Sequence, residues 1–70
     1  ETLSTREKMS EIMVRLSEHK FMPLGALLLK EEGRLGVAVT FLAVMELMKD
    51  SMIEIVQTDD FGPIHVKSRG

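Results

Sequence analysis

The fold is decided by residues 35–67, which read LGVAVTFLAVMELMKDSMIEIVQTDDFGPIHVK. The stretch from Leu35 to Asp50 contains no proline and is mostly apolar, which predicts a helix over these residues. Two runs rich in β-branched residues follow, MIEIVQ at 52–57 and IHVK at 64–67, and a polar turn with a glycine joins them. Such a pair of runs predicts a β-hairpin.

The predicted helix 35–50 is apolar around most of its circumference. Placing residues about 100° apart gives one apolar sector that we expect to face the core, made of Val37, Phe41, Val44, Met45 and Met48. The opposite side is charged but also carries further apolar residues. A helix apolar nearly all round is either buried on every side or contacts a partner. A 70-residue chain is too small to bury this helix on every side, so a partner is expected. The candidate partner-binding residues are Val39, Leu42, Ala43 and Glu46 on this helix and Val56 on the hairpin.

Four residues in this region are expected to have structural roles. Phe41 belongs to the core sector of the helix, and Phe61 would attach the hairpin loop to the body of the domain. Gly62 allows the turn, and Ile64 would face the core from the second strand. The other hairpin residues expected to face the core are Ile53, Ile55 and Val66.

Upstream of residue 35 the sequence predicts two more helices and a short strand. Ser4 begins a capping-box pattern, and an apolar stripe with helical spacing then predicts an amphipathic helix over 4–19. Residues 21–23 favour a brief strand, since proline keeps the preceding residue extended. A second helix is predicted over 24–31, with Gly33 at its C-terminal end and a tight turn before the third helix.

The order of elements is helix, short strand, helix, helix and β-hairpin, which is the α+β winged-helix arrangement, a helix-turn-helix with a β-wing. We interpret residues 1–70 as a single winged-helix domain. The chain starts without methionine, so we expect it to be the C-terminal part of a longer protein.

Composition limits the classes of function. The net charge of −2 lacks the basic excess that is usual for a nucleic-acid binder. The absence of cysteine excludes disulfides, zinc–thiolate sites and thiol catalysis, and it fits a reducing, cytoplasmic location. The longest run without charge or proline, Leu35 to Met45, is far shorter than the roughly 20 residues that span a bilayer. No signal peptide is recognisable, and no membrane association is predicted.

No metal site or catalytic group is recognisable. His19 and His65 fall on different predicted elements, and a metal site needs three or four ligands at defined spacing. Ser10, Ser17 and Thr40 have no base at a recognisable spacing, and no nucleophile elbow or phosphate-binding loop is present. We therefore predict a non-catalytic domain without cofactor or metal.

A helix-turn-helix usually suggests DNA, whose bases are read by Arg, Lys, Asn or Gln on the third helix. From Leu35 to Met48 this helix has none of these residues, and Glu46 would be repelled by phosphate. We predict no specific DNA binding. A DNA-binding domain of a transcription regulator remains the alternative, and an accessory domain of an enzyme is a third possibility.

The third helix and the hairpin together resemble a known family. The residues VTFLAVMELM at 39–48, then Ile53, Ile55 and Gln57, then FGPI at 61–64, resemble the C-terminal domain of kleisins. The resemblance is greatest to the bacterial segregation and condensation protein A family, whose third helix typically reads T-F-L-A-[LV]-[LM]-E-L and whose wing reads Q and then F-G-D-I. Pro63 departs from this pattern, because it stands where the family usually has an acidic residue.

The resemblance implies a function and partners. Kleisins bridge the two ATPase heads of a structural-maintenance-of-chromosomes (SMC) dimer, and their C-terminal winged helix binds one head. The ATP chemistry belongs to the partner, and the parent chain is implied to bind a second accessory protein as well. The resemblance thus implies a protein-docking domain in chromosome condensation and segregation, cytoplasmic and associated with the nucleoid through its complex.

Overall fold

The computed structural model describes residues 4–31 and 33–69, and within them it contains three helices and one antiparallel sheet of three strands. The winged-helix order predicted from the sequence is confirmed, with the β2–β3 hairpin as the wing. The elements are α1 (Thr5–Glu18), β1 (Phe21–Pro23), α2 (Leu24–Leu29), α3 (Gly33–Lys49), β2 (Ile53–Val56) and β3 (His65–Ser68).

Helix α1 begins and ends within a residue of the predicted bounds. The Ser4 hydroxyl accepts a hydrogen bond from the Glu7 amide at 3.3 Å, which satisfies one of the free N–H groups of the first turn. At the other end the His19 amide donates to the Arg15 carbonyl at 2.8 Å. The apolar stripe of α1 buries Ile12 and Leu16 almost completely, and the helix packs on α3 and β3.

The last strand in the chain, β3, lies at the centre of the sheet. It pairs antiparallel with β1 on one side and with β2 on the other, in the order β1-β3-β2. Val66 is fully buried and faces Met22 of β1 and Ile55 of β2 in the register of the two ladders. Since β3 joins both neighbours, the N-terminal and C-terminal halves of the chain share one sheet.

One apolar cluster forms the core between the helices and the sheet. All three helices and all three strands contribute to it, as the size of the domain requires. Its buried members are Ile12, Leu16, Met22, Leu27, Ala43, Val44, Leu47, Ile53 and Val66.

The boundary between α2 and α3 differs from the prediction. Helix α2 ends at Leu29 rather than at residue 31, and α3 already begins at Gly33. Gly33 has φ +80°, a left-handed conformation that glycine adopts without steric cost, and it is the first residue of α3 rather than the end of α2. Position 36 also favours glycine, because a Cβ there would lie 2.9 Å from the Glu31 Oε1.

An ion pair connects α1 to the segment before α3. The Lys8 Nζ donates to the Glu31 carboxylate at 2.7 Å and to the Glu11 carboxylate at 3.0 Å. The side chains of Lys8 and Glu31 are each only 14% exposed, so water screens their contact less than on an open surface. The hydrogen bond that Lys8 donates to the Glu31 carboxylate raises the pKa of Lys8 above its ordinary value.

The end of α3 is a Schellman motif. The Ser51 amide donates to the Met48 carbonyl at 3.0 Å, and the Met52 amide donates to the Leu47 carbonyl at 2.9 Å. Ser51 occupies the left-handed position of this motif with φ 61°, where glycine is the usual residue. The motif turns the chain sharply from α3 into β2.

Candidate docking surface on the third helix

One side of α3 is the inner face of the domain. Its residues are small or of medium size, which lets α1 approach the helix closely. The buried residues of this face are Gly36, Val39, Thr40, Ala43, Val44 and Leu47. The Thr40 hydroxyl donates to the Gly36 carbonyl at 2.9 Å, so the one buried polar side chain on α3 has its hydrogen bond. No polar group on this side is available to a ligand.

The opposite side of α3 is exposed and still apolar. We call Ala38, Phe41, Leu42, Met45 and Met48 the outer face of α3. The last four of these residues are 43%, 54%, 61% and 43% exposed. Their spacing repeats every three to four residues, so they form a continuous stripe along the helix. Contiguous exposed apolar surface of this kind marks an interaction site more often than scattered single residues do.

The structure corrects the expected orientation of α3. Phe41, Met45 and Met48 were expected to face the core, but they lie on the outer face. Val39 and Ala43 were expected to contact a partner, but both are buried, so a partner has no access to them. The physical reason is that α1 packs on the side of α3 with the smallest residues, including Gly36. Leu42 is the predicted partner-binding residue of α3 that lies fully on the outer face.

The remaining predicted residues lie at the margins. Glu46 is half-buried between the inner and outer faces of α3, and Val56 is half-buried at the end of β2, where it pairs with His65. Ile64 is 38% exposed rather than in the core. It precedes β3, and its carbonyl accepts a hydrogen bond from the Leu24 amide at 2.8 Å.

Phe61 was expected to attach the wing loop to the body, and this expectation is wrong. Its side chain is fully exposed, and its φ of 64° is left-handed. Gly62 does serve the turn, since its amide donates to the Asp59 carbonyl at 3.0 Å and its carbonyl accepts from Gln57 Nε2 at 2.8 Å. A Cβ at Gly62 would lie 3.1 Å from the Asp59 carbonyl oxygen, so the turn favours glycine.

The side chains that could ligate a metal are dispersed over residues 4–31 and 33–69. No cluster of three or more His, Cys, Asp or Glu side chains with metal-binding geometry occurs there. His65 instead stacks its ring on Phe21, with centroids 4.4 Å apart, and His19 follows the last turn of α1. Over the same residues, none of the helices combines the length and apolar character needed to cross a bilayer.

The outer face also lacks the side chains that read DNA. None of its five members is Arg, Lys, Asn or Gln, and the basic residues on this side of α3, Arg34 and Lys49, stand at the two ends of the helix. Thr40, the hydroxyl residue of this helix, is buried. Base edges are recognised through hydrogen bonds, which an aliphatic and thioether surface does not form. The outer face suits an apolar protein surface.

Sequence reasoning missed Ala38, Met45 and Met48 as surface residues. A signal for them exists: at about 100° per residue, Arg34 and Lys49 fall on the same side of α3 as these three. Charged residues in line with an apolar stripe indicate which of two stripes faces solvent.

Sequence comparisons place the chain among known proteins. A scan against protein-family models finds no match. The chain is 50% identical over 68 residues to segregation and condensation protein A of Xylella fastidiosa strain Temecula1, covering 97% of this chain and 22% of that protein. It is 43% identical over 70 residues to the protein of the same name from Coxiella burnetii, covering 100% of this chain and 26% of that protein.

A more distant relative has the same name. Segregation and condensation protein A of Listeria welshimeri is 30% identical over 69 residues, which cover 97% of this chain and 28% of that protein. The chain thus spans about a quarter of the length of these relatives, 22% to 28%. Within that segment nearly every residue of the chain is aligned, and the family resemblance of the third helix and wing extends to α1. The chain belongs to the segregation and condensation protein A family of kleisins.

Proposed function

We propose that this domain is a non-catalytic docking module that binds the ATPase head of an SMC protein through the outer face of α3. Its role would then be in chromosome segregation and condensation, the processes for which its relatives are named. The observation that carries the proposal is the exposed apolar stripe of five side chains on α3. In a domain this small, such a stripe lowers solubility without stabilising the core, so contact with a partner explains it best.

The partner supplies the chemistry in this proposal. The domain itself brings an apolar contact surface, and the ATPase head would carry out nucleotide hydrolysis. Because the relatives are about four times as long, further segments of a parent protein would bind the second accessory protein. The complex would hold the domain at the nucleoid in the cytoplasm.

The main competing function is DNA binding by a winged helix. The net charge of −2 and the apolar outer face both disfavour it, because phosphate contacts supply most of the non-specific affinity for DNA. Titration of duplex DNA near 150 mM salt should give only weak, sequence-independent affinity, with Kd of about 10⁻⁴ to 10⁻⁶ M at best. Tight, sequence-selective binding would favour the transcription-regulator alternative.

Leu42→Lys tests the docking surface. Leu42 is 54% exposed near the middle of the outer face, so lysine there should leave folding nearly intact. A charge placed in an apolar contact should weaken head binding by about 2 kcal/mol or more, the scale of an interface hot spot. Binding is measured by calorimetry with the purified ATPase head, and folding is measured by thermal denaturation of the same variant.

Val14→Lys is the matched control. Val14 is 58% exposed on α1, so an aliphatic side chain is again replaced by lysine at a similar exposure, but on another helix. It should bind the head as the wild type does. If both variants bind with wild-type affinity, the outer face is not the docking surface, and if Leu42→Lys unfolds the domain, Leu42 is a core residue and the proposal fails.

A further inference from the structure

The tip of the wing carries an aromatic side chain that the domain does not use for its own packing. Phe61 lies in the wing loop, residues 57–64, and its ring is fully exposed. Of the large apolar side chains in the described ranges, none is more exposed, and the next is Leu29 at 87%. Burial therefore contributes nothing to keeping phenylalanine at this position.

The backbone does not favour phenylalanine there either. Phe61 has φ 64°, in the left-handed region that residues other than glycine, asparagine and aspartate rarely adopt. Asparagine at this position would remove an exposed ring and suit the backbone better. Since burial gives phenylalanine no advantage here and the backbone favours asparagine, the ring serves something other than the stability of this domain.

The turn fixes the backbone at the position that carries the ring. The Gly62 amide donates to the Asp59 carbonyl at 3.0 Å, and Gln57 Nε2 donates to the Gly62 carbonyl at 2.8 Å. These two hydrogen bonds close the loop on both sides of Phe61. A backbone that is already ordered loses little conformational entropy when the residue it carries binds a partner.

The charges around Phe61 define the partner chemistry. Asp59 and Asp60 are exposed beside it, and residues 57–64 contain no lysine or arginine. Two carboxylates next to an aromatic ring complement an apolar pocket whose rim carries lysine or arginine. The same carboxylates would be repelled by the phosphates of DNA, which disfavours insertion of the ring between bases.

The outer face of α3 is too small to form a stable interface alone. A standard interface uses about 20–30 residues on each side, whereas the outer face provides five side chains. We propose that Phe61 is a second anchor, inserted into an apolar, basic-rimmed pocket on the same ATPase head that binds α3. This inference rests on the proposed function of the outer face.

Phe61→Asn is the informative variant, made in the complete natural protein and assayed against the purified ATPase head. Asparagine tolerates the left-handed backbone, so thermal stability should equal or exceed that of the wild type. Head binding should weaken about 30-fold, the loss expected for a hot-spot residue. Leu29→Asn is the control, since it removes a smaller but nearly as exposed apolar side chain on α2, and its affinity should not change.

A second variant tests the basic rim. Asp60→Lys should slow association with the head and reduce the dependence of the association rate on salt, because it reverses one of the steering charges. If the head binds wild type and Phe61→Asn equally well, the anchor is disproved while the docking function of α3 stands. If the head does not bind the wild type, the proposed function fails and the anchor with it. Loss of duplex DNA affinity in Phe61→Asn with unchanged head binding would also overturn the proposal.

Discussion

Phe41 lies across the boundary between the body of α3 and its outer face. With 43% of its surface exposed, it gains only part of the burial that a core phenylalanine has. Truncating a buried phenylalanine costs about 3–5 kcal/mol, so Phe41→Ala should cost clearly less, roughly 1–2 kcal/mol. Leu47→Ala, at a buried position of the same helix, should cost about 2–5 kcal/mol.

Urea denaturation of both variants measures the difference. Equal losses of unfolding free energy would mean that Phe41 is as buried as Leu47, which the proposed outer face does not allow. For a residue that contributes both to the stability of the domain and to the docking surface, we expect a modest loss of stability together with weakened head binding.

At the scale of single residues, the exposure of the large aromatic side chains could not be predicted from the sequence. Phe41 and Phe61 were expected to be structural because large aromatic side chains are usually buried in small domains. Exposure depends on neighbours that are distant in the chain, and no local pattern at Phe61 reports it. The left-handed conformation of Phe61 could not be predicted from the sequence either, since phenylalanine rarely adopts it.

At the scale of elements, the end of α3 offers a stabilising substitution. Ser51 has φ 61° in the Schellman motif, and glycine adopts this conformation without the steric cost of a Cβ. Ser51→Gly should therefore raise the unfolding free energy by about 0.5–1 kcal/mol. Thermal denaturation followed by circular dichroism measures the change.

Ser10→Gly is the control, because the same substitution should here lower the free energy of unfolding. Ser10 is exposed in the interior of α1, where glycine lowers helix stability, so this variant should lose about 0.5 kcal/mol. If Ser51→Gly also destabilises the domain, the serine side chain contributes something at the helix end that outweighs the backbone preference.

The individual elements were predictable, but the inner and outer faces of α3 were not. Helix α1 has a capping serine and one apolar stripe, and the wing consists of two runs rich in β-branched residues joined by a polar turn, so local chemistry defines both. Helix α3 has two apolar stripes, and only the packing of α1 decides which one is buried. Val39 and Ala43 were therefore assigned to the wrong side, whereas Leu42 was placed correctly.

At the scale of the whole molecule, the Lys8–Glu31 ion pair makes stability depend on pH in the alkaline range. The pKa of Lys8 is raised above its ordinary 10.5, mainly by its hydrogen bond to Glu31. A raised pKa stabilises the folded state below the ordinary value, and this stabilisation is lost as the pH rises through the raised value. The chain has no tyrosine or cysteine, so among the side chains that titrate near pH 10 only lysines are present.

Melting temperatures between pH 8 and 11.5 should therefore fall more steeply above about pH 10.5 in the wild type than in Lys8→Met. Lys20→Met removes an exposed lysine at the end of α1 and should keep the wild-type profile. Identical profiles for the wild type and Lys8→Met would show that the contact with Glu31 contributes nothing to stability.

The global arrangement was predictable from the order of elements, whereas its long-range contacts were not. Helix, strand, helix, helix and hairpin leave few arrangements other than the winged helix. The pairing of Lys8 with Glu31 joins residues 23 positions apart in the sequence. This contact depends on how α1 is oriented over α3, and no short pattern encodes that orientation.

The central position of β3 has a consequence for synthesis on the ribosome. The chain emerges from its N-terminus, so β1 leaves the exit tunnel about 40 residues before its partner, since Pro23 pairs with His65. At a translation rate of about 5–20 residues per second, β1 and the apolar side chains of α1 stay exposed for several seconds before β3 is available to pair with β1. During that interval the nascent segment is a substrate for chaperones, and a synonymous codon change that slows translation between α3 and β3 would lengthen its exposure.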